Sequence, residues 1–230
     1  MTDSISDRLQ RIYQQLPSGV RAIAVSKQVS LEAMREAYQA GARDFAESRI
    51  QEALPKQEQL QDLKDICWHF IGHIQSNKAK KVIESFDWIH SCDSLKLAQR
   101  LNSLAADMQR NPKICLQVKI LPDADKYGWS QSELLADLGK LDRLSHLKIQ
   151  GLMTILPLGL SDAEKLATFQ ATKELGDRIT QDPTTNLTLP ELSMGMSGDY
   201  PLALQAGATM IRPGRIIFGD RPSSLSLVNG

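Results

Sequence analysis

Apolar positions along the 230-residue chain follow two rhythms that take turns. One is the three-to-four spacing of an amphipathic helix. The other is a short run of branched and small residues closed by a turn, which reads as a buried strand. Ile5, Leu9, Ile12 and Leu16 predict a lead-in helix, ended by Pro17-Ser18-Gly19. Arg21 to Val25 then runs straight into Ser26-Lys27, which predicts a first strand with Lys27 at its C-terminal end. Leu31, Met34 and Tyr38 mark the next helix, closed by Gly41, and Arg43 to Glu47 reads as a second strand. Ser48 is placed to cap the helix that follows. His69 to His73 predicts a third strand, 77–86 a helix, and Trp88 to Ser91 a fourth strand. Ser94 caps a helix whose Leu97, Leu101, Leu104, Ala105 and Met108 share a face, and Pro112 stops it. Ile114 to Ile120 reads as the fifth strand, and Ser130 caps a helix running to about Leu141. Ile149 to Thr154 is the sixth strand, and Asp162 opens a helix with Leu166, Phe169 and Leu175 inward. Leu187 to Met194, then a helix over 197–206, then Thr209 to Arg212 supply the seventh strand, its helix and the eighth strand. Ser223 to Gly230 reads as a loose tail.

Strand and helix thus alternate about eight times in a chain near the ~250-residue size usual for such folds. The expectation is an α/β protein, a single (β/α)8 TIM-type barrel over 1–230, with an extra N-terminal helix in 1–17 and a tail over 221–230. A doubly wound open sheet is the alternative. It would carry a Gly-rich GxGxxG turn after the first strand, and this chain has Ser26-Lys27-Gln28-Val29 there.

Composition narrows the function classes. Lys plus Arg equals Asp plus Glu at 27 each, so formal net charge is zero. Nothing drives the chain toward nucleic acid or an anionic membrane. Cys67, Cys92 and Cys115 are odd in number and widely spaced, without a CxxC, which fits a reducing compartment and buried structural thiols. The N-terminus lacks the basic-then-apolar order of a signal peptide, and no apolar run approaches the ~20 residues that span a bilayer. The expected location is the cytoplasm and the expected state a monomer.

In α/β proteins, ligands gather at the C-terminal ends of strands. Lys27 lies at one such end, where partial desolvation would make its ammonium a competent imine-forming amine. A lysine there can also simply reach water. After strand seven, Ser193-Met194-Gly195-Met196-Ser197-Gly198-Asp199-Tyr200 enters a helix, a hydroxyl and backbone N–H groups suited to phosphate. After strand eight, Arg212-Pro213-Gly214-Arg215 turns again, with Gly214 permitting close backbone approach. Barrels often hold phosphate after strands seven and eight. Taken singly, these turns are an ordinary serine cap and an ordinary chain reversal. His69 and His73, four apart in a strand, would share a side, but no third metal ligand is near, so no metal is expected. Lys78, Lys80 and Lys81 read as a solvated helix face, and 123–129 as a surface loop that could serve as a lid.

With these residues in view, the sequence resembles the pyridoxal-phosphate-binding proteins of the YggS/PROSC type, the PLP homeostasis proteins. The resemblance covers nearly the whole chain. It rests on Ala24-Val25-Ser26-Lys27, the block from Trp68-His69-Phe70-Ile71-Gly72-His73 to Gln75-Ser76-Asn77-Lys78, Gly151-Leu152-Met153, Ser193 to Asp199, and Arg212-Pro213-Gly214-Arg215-Ile216-Ile217-Phe218-Gly219. It implies the barrel of the alanine racemase N-terminal domain and pyridoxal 5′-phosphate (PLP) held as an aldimine on Lys27. It also implies phosphate contacts from Ser197, Gly198, Gly214 and Arg215, and Arg212 opposite the pyridine nitrogen. Ser48, His73 and Met153 would line the pocket. The family usually has Asn-Tyr where this chain has Ser48-Arg49.

A guanidinium only donates hydrogen bonds, so the ring nitrogen facing Arg212 must accept and stay unprotonated. That weakens the electron sink on which PLP catalysis depends. Racemases with this ring partner flank the reacting carbon with two acid/base groups, one from an added domain or subunit, and this chain ends soon after Phe218-Gly219. The expectation is a carrier or buffer in intracellular vitamin B6 and amino-acid homeostasis, without substantial turnover. Its partners would be PLP, PLP-dependent apoenzymes or regulatory proteins, and neither nucleic acid nor membrane. The alternatives are a PLP-dependent amino-acid racemase or decarboxylase, and a lysine-imine aldolase acting on a sugar phosphate.

Overall fold

The computed structural model describes residues 3–220, so the tail expected over 221–230 lies outside the described residues. Its strands are β1 (Arg21–Ala22), β2 (Ala24–Val25), β3 (Asp44–Glu47), β4 (Cys67–Phe70), β5 (Trp88–Cys92), β6 (Lys113–Gln117), β7 (Lys148–Met153), β8 (Glu191–Met196) and β9 (Met210–Arg212). Every pairing is parallel, in the order β1-β9-β8-β7-β6-β5-β4-β3-β2. β1 and β2 are two halves of one strand around Ile23. Its amides at Arg21, Ile23 and Val25 donate to Thr209, Ile211 and Pro213 at 2.8–2.9 Å, while Ser26 N–H donates to Ala46 on the other side. The first strand is therefore bonded to both the last strand and the second, and the barrel closes with eight staves.

The helices are α1 (Ile5–Gln15), α2 (Leu31–Gln39), α3 (Ile50–Gln59), α4 (Ala79–Ser85), α5 (Leu95–Asp107), α6 (Gln131–Leu141), α7 (Asp162–Gln181), α8 (Tyr200–Gln205) and α9 (Arg215–Phe218). Ser4, Ser130 and Ser161 begin α1, α6 and α7 with capping boxes closed by Asp7, Glu133 and Glu164. Each such cap stabilises its helix by about 1 kcal/mol. α1 buries Ile5, Leu9 and Ile12, the face its spacing announces, and Leu16 follows as the C-cap. None of the helices is long and apolar enough to cross a membrane, among the described residues.

Strand side chains alternate between two cores. Phe45, Phe70, Ile89, Ile114, Leu116, Leu152, Leu192 and Ile211 point outward and bury against the helices. Ile23, Val25, Ala46, Trp88, Cys115, Met153 and Met210 form a separate cluster in the other phase, inside the barrel. The same inward phase carries Asp44, His69, His90, Ser193 and Arg212, and His69, His90 and Ser193 have no exposed surface. A buried polar chain therefore runs through an otherwise apolar interior.

Several predicted boundaries move. β4 ends at Phe70, so His73 lies beyond the strand, and the expected shared side with His69 does not arise. β8 begins at Glu191 rather than Leu187, and α8 begins at Tyr200 rather than Ser197. Arg49, without a side-chain cap, precedes α3, so Ser48 is not its cap. A Cβ at Gly72 would stand 2.0 Å from the Ser48 carbonyl oxygen, so Ser48 is packed backbone to backbone against the β4 exit instead.

Cys92 and Cys115 are buried and Cys67 is half-buried. Burial, with the charges of Asp44 and Asp87, pushes the Cys67 thiol up to about 12. Burial also raises Cys92 and Cys115. Since the thiolate is the nucleophile, native protein treated with iodoacetamide at neutral pH is expected to stay unmodified at all three positions on a timescale that fully alkylates the urea-unfolded chain. Intact-mass spectrometry reads the outcome.

Candidate functional site

A cleft of about 720 Å³ opens where the strands end. Lys27, Ser48, Met153, Ser197, Gly198, Arg212, Gly214 and Arg215 all line it, joined by Val25, Ile71, Ile155 and Leu156. Eight of the nine residues singled out from the sequence thus meet in one place. His73 is the exception. It sits at the rim of a neighbouring cleft of about 570 Å³ with Arg49, Gln75 and Lys78, which meets the first cleft at Ser48. There His73 bonds Asp93 at 3.0 Å and stacks on Tyr127 with ring centroids 3.6 Å apart. The loop expected as a possible lid therefore reaches His73, on the rim of this second cleft, through Tyr127. Lys78 is half-buried against it rather than on a plain solvated face.

Near β8 and β9 a hydroxyl and two turns of backbone form a cradle beside the cleft. Ser197 Oγ accepts from the backbone N–H of Gly214 at 3.1 Å and of Ile216 at 3.3 Å. With two bonds accepted, its hydroxyl proton is free to be donated toward the cleft. The cradle is built by a cross-link between two turns, and not by the start of the helix expected after the seventh predicted strand, because α8 begins three residues after Ser197. Gly214 packs closely, since a Cβ there would stand 3.3 Å from Val25. At Gly198 a Cβ would meet no protein atom within 4 Å, so that backbone faces open space.

Arg212 is 4 % exposed. Nη1 donates to Ser193 Oγ and Nη2 to the Thr154 carbonyl, both at 2.8 Å. Burial pulls its pKa down to about 10, so it remains a cation at neutral pH. Two of its five N–H groups are engaged this way, and the guanidinium lines the cleft that Lys27 shares.

Lys27 is half-buried at the end of the first strand. Its backbone is held by a network that the sequence reading missed. Lys56 Nζ donates to the Ser26 carbonyl at 2.7 Å, to Glu47 at 2.8 Å and to Glu52 at 2.9 Å. Ser26 Oγ donates to Glu47 at 2.7 Å, and Gln28 N–H donates to Glu52. Gln28 takes the left-handed conformation, φ 60°, that this turn imposes. The available signal was Glu52 and Lys56 at i,i+4 on α3, which looks like an ordinary surface pair until Glu47 is known to face the same helix.

A lysine, the Ser197 cradle and a guanidinium cation thus line one cleft of small-ligand size. They suit a ligand with an aldehyde, a phosphate and an aromatic ring nitrogen that accepts.

Known proteins similar to this chain agree in sequence and in shape. The alanine racemase N-terminal domain family matches residues 1–222. A pyridoxal phosphate homeostasis protein of Synechocystis sp. is 55 % identical over 206 residues, covering 90 % of this chain and 94 % of that protein. PipY of Synechococcus elongatus, solved with PLP bound, is 50 % identical with a TM-score of 0.89, covering 94 % of this chain and all of that one. An alanine racemase of Clostridium difficile shares the fold at a TM-score of 0.80 and 16 % identity. The match covers 96 % of this chain and 58 % of the racemase.

Proposed function

This chain belongs to the family of pyridoxal phosphate homeostasis proteins built on the alanine racemase N-terminal domain, and from that premise we propose that it holds PLP in the strand-end cleft and keeps it available without consuming it. When bound, the cofactor supplies an aldehyde for an amine and a ring that can draw electrons from what is attached. The chain's own residues divide the work. Lys27 presents its amine to the aldehyde from a turn clamped by Lys56. Ser197 and the backbone of Gly198 and Arg215 would hold the phosphate, with Gly214 giving the close approach and orienting the Ser197 hydroxyl. Met153 and Val25 would give the cofactor apolar contact from the cleft wall. Ser48 borders the cleft with a short hydroxyl in place of the usual asparagine.

Arg212 carries the non-catalytic half of the reading. It would donate to the ring nitrogen and has no atom that accepts a proton. It stays charged, so it would leave that nitrogen unprotonated and the electron sink weak. The protein then acts as a carrier or buffer in vitamin B6 and amino-acid balance, a monomeric single-domain protein of the cytoplasm that exchanges PLP with apoenzymes or answers to a regulatory protein. The observation that favours this reading is the convergence of Lys27, the Ser197 cradle and Arg212 on one cleft.

Borohydride reduction of PLP-loaded protein, followed by peptide mass spectrometry, is expected to place one pyridoxyl group on Lys27 and none on Lys27→Ala. Racemisation assays with amino acids should show no rate above the Lys27→Ala background. Label on another lysine would overturn the site, and Lys27-dependent racemisation would restore the enzyme reading.

A further inference from the structure

Inside the barrel, four side chains link Arg212 to the opposite face in single file. Arg212 Nη1 meets Ser193 Oγ at 2.8 Å, and Ser193 Oγ meets His90 Nδ1 at 2.7 Å. His90 Nε2 meets His69 Nδ1 at 2.8 Å, and His69 Nε2 meets Asp44 Oδ1 at 2.8 Å. The two ends, with both histidines neutral, set the direction of every proton. Asp44 is a carboxylate and only accepts, so His69 carries its proton on Nε2. His69 is fully buried and its pKa is lowered by burial, so it is neutral and accepts at Nδ1. His90 then donates from Nε2 and accepts at Nδ1. Ser193 donates to His90, and its oxygen accepts from Arg212, which only donates. Five groups and four bonds contain four shared protons, with no conflict at any point.

We propose that Asp44, His69, His90 and Ser193 form a directional hydrogen-bond relay that positions the Arg212 guanidinium and tunes its donation to the cofactor's ring nitrogen. The proposal rests on the PLP reading above for its functional half and on the barrel geometry alone for its structural half. Hydrogen bonds in series polarise one another in a low-dielectric interior. The charge on Asp44 therefore strengthens Ser193 Oγ as an acceptor and draws Arg212 Nη1 toward it. The Thr154 carbonyl takes Nη2, so two anchors fix the guanidinium plane. None of the four relay residues lines the cleft, so they are positioning residues for Arg212.

Asp44, Cys67 and His69 also place an oxygen, a sulfur and a nitrogen within 4.8 Å of one another. Arg21 Nη1 stands 4.0 Å from the same Asp44 oxygen, and both Arg21 and Lys113 lie over the Trp88 ring beside them. Two resident cations at that end oppose a metal ion and favour a carboxylate that accepts from His69.

The test has one arm that needs no cofactor. Long-range 1H–15N spectra of the full chain without PLP should show His69 and His90 neutral, both with the proton on Nε2. A cationic ring or an Nδ1–H form at either residue overturns the relay. The second arm measures PLP affinity and the absorption maximum of the bound cofactor. His90→Phe should weaken affinity about tenfold, the worth of one good hydrogen bond, and move the absorption maximum. His90→Gln, which can donate to one side and accept from the other, should recover most of both. Asp44→Asn keeps an acceptor and removes the charge, and should move the absorption maximum in the same direction by less. Where His90→Phe does not fold, Ser193→Ala takes its place. Folded variants whose affinity and absorption match wild type overturn the coupling. Wild-type protein that binds no PLP defeats the functional reading instead, and the spectra of the two histidines still decide the relay.

Discussion

Lys56→Met is expected to cost the fold about 3–5 kcal/mol, because it leaves a buried carboxylate without its cation. Glu47 has no exposed surface, and its Oε2 has no hydrogen-bond partner. All its compensation reaches Oε1, from Lys56 and from Ser26. Burial already pushes the Glu47 carboxyl up from its ordinary value, and Lys56 opposes that push. Removing the ammonium leaves only the Ser26 hydrogen bond to oppose burial, so the folded-state pKa rises further. A carboxyl raised in the folded state binds more protons folded than unfolded, so stability falls as pH rises through that interval. The deficit of Lys56→Met should therefore be smallest near pH 4 and grow toward neutrality. Urea midpoints of wild type and variant across that range read this directly. Adding Glu47→Gln should recover part of the loss, since it removes the stranded charge, although the amide still needs partners. The same variant should slow borohydride-trappable loading of Lys27, because the Ser26 carbonyl loses its ammonium donor. A deficit that shrinks with rising pH would mean that Glu47 is not the stranded group.

The alternation of rhythms carried the architecture well because strand and helix differ in period and every barrel unit repeats both. Strands buried on both faces, such as Trp88–Cys92, were visible almost to the residue. The misplaced boundaries fall where backbone meets backbone. Nothing in the letters around Ser48 shows that Gly72 lies against its carbonyl, so a good capping residue was read as a cap. The cleft residues were legible because their motifs sit at strand ends, which the barrel brings together whatever the loops do. The relay was not legible. His69, His90 and Ser193 share a phase with inward apolar residues, and period alone cannot tell a satisfied core histidine from one that points along the axis. Only the register, which pairs His69 with Trp88 and Ser193 with Met210 and Met153, brings those levels into contact. His73 misled for the opposite reason. Its spacing from His69 suggested a shared face, but the strand had already ended.

Gly195→Ala is expected to damage stability and cofactor hold together, and its neighbour Gly198→Ala separates the two. Gly195 has φ 90°, a left-handed conformation that costs an L-residue about 1–2 kcal/mol. Its added Cβ would stand 2.6 Å from the Ala203 Cβ and 2.9 Å from the Tyr200 Cα. Ala203 is fully buried on α8, so the helix must shift outward rather than a side chain rotate. Strain and overpacking together predict a loss of about 2–4 kcal/mol in chemical denaturation. Ser197 lies two residues on, and its oxygen joins the Gly214 and Ile216 amides. A displaced α8 pulls on that turn and opens the cradle, so PLP affinity should fall while pyridoxal, which lacks the phosphate, is bound much as before. At Gly198 a Cβ meets no protein atom and φ is not left-handed, so Gly198→Ala should change stability by less than about 0.5 kcal/mol. Its Cβ would nevertheless enter the space assigned to the phosphate, and the preference for PLP over pyridoxal should shrink by about tenfold, one charge-assisted hydrogen bond's worth. If Gly198→Ala keeps the full preference for PLP, the phosphate does not rest on this turn, and the cradle must be sought elsewhere in the cleft.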